Sequence, residues 1–208
     1  MLRDRTALVS AFGGESVVLL HMAAQVDRAL PVIFLDTGRH FPETLAYRDR
    51  VVDRLGLQDV RTAYPDQQDL RRHDRRGRLF ADDPDLCCDI RKTRPLAEEL
   101  EGFAAWITGR KRFQGGLRAE LDVIEAETST GRLKLNPLAT WDAERIERYR
   151  VAHDLPAHPL LGQGYRSIGC ASCTRPTRPG EPARAGRWFG IDKTECGIHL
   201  PEPYGDNI

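Results

Sequence analysis

The chain has 208 residues, enough for one well-packed domain and too few for two large ones. Lys+Arg and Asp+Glu both number 31, so the formal net charge is zero, which excludes a strongly basic nucleic-acid module and an acidic tail protein. No apolar run approaches the roughly 18 residues of a membrane span, and the start carries no apolar signal core; the expected compartment is the cytoplasm, with neither nucleic acid nor membrane as partner.

Residues 6–10 are apolar enough for a short buried strand, and Ala11-Phe12-Gly13-Gly14 is the turn after it. A helix opening at Glu15 carries Val18, Leu19, Met22 and Val26 on one side. Residues 31–35 form a second strand that ends in Asp36-Thr37-Gly38. Pro42 suits a first helical position, residues 44–55 keep helical spacing, and Gly56 stops the helix. A third strand covers 60–64. From 66 to 85 the chain is polar and broken, and the charge run over 71–76 reads as a solvated face. A helix is expected over 95–100, strands over 104–108, 121–126 and 133–135, and a charged helix over 142–153 capped by Asp142. This alternation implies an α/β fold, a mostly parallel twisted sheet flanked by helices. Past residue 175 the texture turns to Pro, Gly and Arg. The expected division is therefore a domain over 1–174 and a loop-rich C-terminal tail over 175–208.

Gly13 and Gly14, with Glu15 and Ser16 beside them, would let an anion approach the backbone at a helix N-terminus; the same string also serves as an ordinary strand-to-helix turn. Only four of the 31 basic residues are lysines (Lys92, Lys111, Lys134, Lys193), so most positive charge is guanidinium, whose flat donor array suits phosphate and sulfate oxygens. The five cysteines fall as Cys87-Cys88, Cys170-x-x-Cys173 and a separate Cys196. A reducing compartment argues against a disulfide framework. Adjacent thiols point in different directions, which fits a four-thiolate [4Fe–4S] cluster better than the tight shell around one zinc ion. On the residues alone, zinc and unliganded buried thiols stay open, and Cys196 is left as a reactive thiol.

Several of these strings resemble known motifs. Residues 10–16 (Ser-Ala-Phe-Gly-Gly-Glu-Ser) are similar to the pyrophosphatase loop of the nucleotide α-hydrolase (PP-loop) family, with Glu15 for an aspartate and Ala11 for a serine. Leu35-Asp36-Thr37-Gly38 with Phe41-Pro42-Glu43-Thr44 resembles the sulfonucleotide-reductase branch. Cys87-Cys88-Asp89-Ile90-Arg91-Lys92, residues 168–176 around Cys170 and Cys173, and residues 194–200 around Cys196 resemble the three cysteine segments of assimilatory adenylylsulfate (APS) reductases, within the PAPS/APS reductase family. Residues 108–114 followed by Arg118 are similar to that family's phosphate-side basic strip, with Lys111 for an arginine and Phe113 for an aspartate. Arg184 and Arg187 before Trp188 resemble the arginines that precede its aromatic run.

The resemblance implies reduction of APS to sulfite and AMP with electrons from thioredoxin or glutaredoxin. It implies Cys196 as nucleophile, forming an S-sulfocysteine, and one [4Fe–4S] cluster on Cys87, Cys88, Cys170 and Cys173 that is structural and electrostatic, with Lys92 placed to couple it to substrate. It assigns substrate binding to Gly13, Gly14, Glu15, Ser16, Asp36, Thr37, Gly38, Lys92, Gly109, Arg112, Arg118, Arg184 and Arg187. A homo-oligomer is compatible with the sequence. The competing readings are a PAPS reductase, which normally lacks the four cluster cysteines, or a dual APS/PAPS reductase, a PP-loop tRNA-thiolating enzyme, and a non-catalytic iron–sulfur or zinc module. His40 and His199 lie inside motifs, where packing or solvation explains them as well as catalysis does. The Pro/Gly/Arg-rich stretch ahead of Cys196 predicts a segment that is mobile without ligand.

Overall fold

The computed structural model describes residues 2–199; the final residue of the Cys196 motif, Leu200, and the rest of the expected tail lie outside the described residues. Six strands make one sheet: β1 (Thr6–Val9), β2 (Val32–Leu35), β3 (Val60–Ala63), β4 (Ala105–Ile107), β5 (Ile124–Ala126) and β6 (Leu133–Leu135). Their order is β3-β2-β1-β4-β6-β5, parallel throughout except for β5, which runs antiparallel to β6 at the edge. The expected mostly parallel α/β sheet is the one observed.

The central strands read as unbroken apolar runs because helices cover both their faces. Side chains alternate across the sheet. Leu8 and Phe34 therefore join one core with α1 (Ser16–Val26), α2 (Pro42–Leu55) and α7 (Ala143–Ala152). Ala7, Ile33 and Trp106 join the other, under α6 (Arg94–Glu99). Leu8 is fully buried, so Leu8→Ala would cost about 2–5 kcal/mol in lost burial and cavity formation. Gly56 ends α2 at φ 63°, in the left-handed region where glycine carries no penalty. Val26 departs from the expected apolar stripe: it is 82% exposed, at the last turn of α1.

Two segments differ from expectation. The 66–85 stretch contains α3 (Gln67–His73), capped by Asp66 through the amides of Gln68 and Asp69, and α4 (Leu79–Asp82). The charge run is exposed as expected apart from Asp74. That carboxylate is buried and accepts from Arg39 Nη2 (3.0 Å), Arg91 Nη2 (2.6 Å) and the Leu79 amide (2.9 Å). Of the expected 121–126 strand only β5 forms. Short 3₁₀ turns follow Lys111, and Gly115 and Gly116 take positive φ there, so the chain enters the sheet late.

One continuous helical stretch carries the tandem cysteines. It begins as α5 (Pro84–Cys88), passes through a π-helical turn at Asp89–Thr93, and continues into α6. The π turn widens the helix by one residue at the position of Arg91 and Lys92, a distortion that recurs at functional sites.

Candidate active site

The strand order reverses at β1: its loop leads to β2 on one side, while β4 lies on the other. Open parallel sheets bind ligands in the crevice at such a switch point, beyond the carboxyl ends of the strands. A cleft opens at that place. It is lined by the loop after β1 (Ser10, Ala11, Gly13, Gly14, Glu15, Ser16), by Thr37 and His40 after β2, by the 108–111 turn after β4, and by the segment that ends at His199.

The glycine loop is shaped by close packing. A Cβ on Gly14 would lie 2.8 Å from Leu161 Cδ2, so a side chain there displaces Leu161 or the loop itself. Phe12 adopts φ 46° and is fully buried edge-on against Phe34, with ring centroids 5.6 Å apart, which pins the loop to the core. The Glu15 side chain does not cap α1, so the first amides of this 11-residue helix, opening onto the cleft, carry no side-chain cap.

Seven cationic side chains line the cleft against two carboxylates, Glu15 and Glu195. Lys111 pairs with Glu15 at 2.7 Å, and Arg110 pairs with Glu125. Arg118 and Arg184 pair with Glu195 at 2.6 and 2.9 Å. Lys92 and Arg187 have no carboxylate partner among the described residues, and Arg166 bonds only to the Thr177 hydroxyl and to carbonyls. The cleft also collects buried polar atoms without a partner among the described residues: Arg187 Nε, Trp188 Nε1, His199 Nδ1 and His40 Nδ1. Arg187 Nε and Trp188 Nε1 are donors, and an anionic ligand in the cleft would satisfy them.

Cys196 lines this cleft, buried, in contact with Cys88 and Trp188. A hydrogen bond from Cys88 draws the Cys196 thiol well below its ordinary range against the opposing effect of burial, and Lys92 and Arg187 add to the pull. Burial, reinforced by Lys134 and Arg118, drives His199 well below the ordinary histidine range, so it is neutral at pH 7. Its ring stacks on Trp106, with centroids 6.0 Å apart and planes within 4°. Glu195, Cys196, Ile198 and His199 thus line the cleft.

All five cysteines are free thiols; Cys87, Cys88 and Cys170 are buried and Cys173 is half-buried. They come from the end of α5 and from the turn around Ala171–Cys173. Cys170 Sγ lies 3.4 Å from Thr37 Oγ1, and Lys92 Nζ lies 3.9 Å from Cys88 Sγ. Burial raises Cys87, whereas Lys92 and the Thr37 hydroxyl hold Cys170 below its usual value despite burial. Among the described residues no three His, Cys, Asp or Glu side chains gather closely enough to hold one metal ion. A cluster that binds each thiolate to its own iron makes a different demand. Four buried or half-buried thiols, with Lys92 acting on Cys88 and Cys170 and with Arg91 and Arg39 acting on Cys87, have the donor chemistry for it.

Most of the expected substrate residues meet in the cleft: Gly13, Gly14, Glu15, Ser16, Thr37, Lys92, Gly109, Arg118, Arg184 and Arg187. Three do not reach its wall. Asp36 accepts from the Gly38 amide at 2.9 Å and shapes the turn, Gly38 takes φ 66° there and faces Arg91, and Arg112 Nε donates to the Leu121 carbonyl at 2.8 Å to hold the following loop. Cleft residues outside the expected set include His40, Arg110, Lys111, Gln114, Gly169, Glu195 and His199. The basic strip over 108–114, the 168–176 cysteine segment, the motif around His40 and the residues flanking Cys196 carried the signal for these. Gly169 leaves room for Arg187, since a Cβ on it would sit 2.2 Å from Arg187 Nη2.

The fold and site define a nucleotide-binding α/β protein with a buried thiol at the anion-binding end of its sheet. The chain belongs to the phosphoadenosine phosphosulfate reductase family, whose domain model matches residues 5–176. It is 52% identical over 200 residues to adenosine 5′-phosphosulfate reductase of Mesorhizobium japonicum, covering 96% of this chain and 78% of that protein. It is 42% identical over 199 residues to phosphoadenosine 5′-phosphosulfate reductase of Gloeobacter violaceus, covering 94% and 83%. The solved phosphoadenylyl-sulfate reductase of Candida auris, a phosphate complex, superposes with a TM-score of 0.70 at 28% identity, covering 82% of this chain and 83% of that one. Yeast FAD synthetase, at 18% identity and a TM-score of 0.59, shares the fold.

Proposed function

We propose that this protein reduces adenylylsulfate to sulfite and AMP in sulfate assimilation. The observation that carries the reading is the convergence of Cys196, the glycine loop and the unpaired cations Lys92 and Arg187 on one cleft. In the proposed reaction the Cys196 thiolate attacks the sulfate sulfur. The bond from sulfur to the phosphate oxygen breaks, AMP leaves, and an S-sulfocysteine remains. Lys92 and Arg187 face the charge that develops on the departing phosphate and on the sulfonate. A dithiol protein, thioredoxin or glutaredoxin, then attacks Cys196 Sγ. Sulfite leaves with the electron pair, and the second thiol resolves the mixed disulfide, so the dithiol is oxidised to a disulfide and Cys196 returns as a thiol.

Cys87, Cys88, Cys170 and Cys173 are the residues that would hold one [4Fe–4S] cluster, which when bound supplies a fixed charge distribution beside the cleft. Lys92 touches both regions, since it lines the cleft and approaches Cys88. With reductant omitted, enzyme and adenylylsulfate should yield a single equivalent of AMP and a sulfonate adduct on Cys196, read by intact-protein and peptide mass spectrometry. Cys196→Ser should bind the nucleotide and form no adduct; an adduct on another cysteine, or normal sulfite output from the Ser variant, overturns the assignment.

The second reading is a substrate with an additional 3′-phosphate, favoured by the name of the 42%-identical Gloeobacter relative. That phosphate brings about two more negative charges and demands extra basic contacts. A higher kcat/KM for the 3′-phosphorylated nucleotide would establish it.

A further inference from the structure

Glu195 is the residue ahead of Cys196, and it is buried, with its side chain 7% exposed. A carboxylate in such a place needs full compensation. It accepts from Arg118 Nε at 2.6 Å and Arg118 Nη2 at 2.7 Å, a two-point pairing, and from Arg184 Nη2 at 2.9 Å. Its Oε1 also lies 3.3 Å from the Cys196 amide, and Arg184 donates to the Thr194 carbonyl at 2.9 Å. Arg118 is further bonded to Gln114, and both arginines line the cleft. The weaker contacts of the same segment are a 3.5 Å approach of Lys134 Nζ to the Ile198 carbonyl and the His199–Trp106 stack. Glu195 is therefore the charged fastening of this segment.

We infer that Glu195 is a positioning residue: its carboxylate clasps Arg118 and Arg184 and so seats Cys196 in the cleft. This rests on Cys196 as the nucleophile proposed above. It also reassigns the two arginines. The carboxylate takes Arg118 Nε and Nη2 and Arg184 Nη2, whereas Lys92, Arg166 and Arg187 of the cleft have no carboxylate partner among the described residues. Release of the clasp is then the step that exposes Cys196 to a protein reductant.

The test is alkylation of Cys196 by iodoacetamide in the holoenzyme, followed by peptide mass spectrometry, with AMP affinity measured alongside. In Glu195→Gln, Cys196 should be alkylated roughly tenfold faster or more, as expected when a buried charge pair is lost, while AMP affinity does not fall. Sulfonation by adenylylsulfate in a single turnover should slow by a similar factor. An alkylation rate equal to wild type overturns the clasp whatever the activity. If the Gln variant loses AMP binding, Glu195→Asp decides, since it keeps the charge and shortens the reach. It must bind AMP normally and be alkylated at an intermediate rate; an Asp variant alkylated no faster than wild type overturns the inference. Alkylation does not depend on the proposed reaction. A wild-type protein that adenylylsulfate fails to sulfonate would sink that reaction and leave the clasp measurable.

Discussion

Lys92 Nζ lies 3.9 Å from Cys88 Sγ while the same side chain lines the cleft that holds Cys196. The π turn at Asp89–Thr93 makes this possible by setting Lys92 one helical turn beyond the tandem cysteines and still facing inward. Its charge is buried among sulfurs, with Cys170, Cys196 and Cys88 outweighing the burial that would otherwise discharge it. Lys92→Gln keeps much of the bulk and removes the charge. It should lower the single-turnover rate of Cys196 sulfonation by about a hundredfold or more, the scale on which a charge-stabilising group acts in a buried site. A rate within about threefold of wild type, on a scale where tenfold is 1.36 kcal/mol, would show that the charge acts elsewhere.

The four remaining thiols should behave as a unit. Serine in place of Cys87, Cys88, Cys170 or Cys173 is expected to abolish iron and acid-labile sulfide together, because in the proposed cluster each thiolate would hold its own corner. Cys196→Ser should keep full iron content. Iron analysis and the visible absorption spectrum of anaerobically purified protein check both, and a serine variant with full iron at any of the four positions would remove that residue from the set.

Gly169 offers a test of Arg187 without touching its charge. A Cβ would fall 2.2 Å from Arg187 Nη2 and 2.4 Å from its Cζ, so the guanidinium must swing away. The neighbour that gives way is the end of a flexible side chain, so the fold should survive. Gly169→Ala should weaken substrate binding by roughly tenfold, the order of one lost charge-assisted contact, with an unchanged thermal midpoint. Unaltered affinity would mean that Arg187 does not meet the nucleotide.

His158 governs an acid limit on stability away from the cleft. It is 1% exposed; its Nε2 pairs with Thr44 Oγ1 at 3.1 Å, and its Nδ1 accepts from the Leu160 amide at 3.2 Å. The accepting nitrogen requires the neutral ring. Burial lowers its pKa from 6.5 to about 4. The unfolded chain therefore takes up the proton first, so this contribution is whole above pH 6.5 and is lost progressively as pH falls from 6.5 towards 4. Urea midpoints across that window should decline more steeply for wild type than for His158→Gln. Parallel declines would dismiss His158 as the cause.

The strands, the glycine turn and the cysteine layout were legible in the sequence because each is local. A buried parallel strand such as β2 is an apolar run, Gly56 ends a helix because of its own backbone, and Cys87-Cys88 is an adjacency along the chain. Even the basic strip over 108–114 was visible as composition. What the tertiary structure decided is which charges are already taken. Arg118 and Glu195 are 77 residues apart, and Arg39 meets Asp74 across 35, so neither pairing leaves a spacing to read. Arg112 and Arg118 look alike in the sequence, but one holds a loop carbonyl and the other faces the cleft. Between them the chain turns at Gly115 and Gly116, both at positive φ, so Arg118 leaves the backbone in a different setting from Arg112. Burial acts the same way on Asp74. Nothing in a run of arginines singles it out, and it becomes a structural anion only because the fold closes Arg39 and Arg91 over it, where an unpaired charge would be too costly to bury.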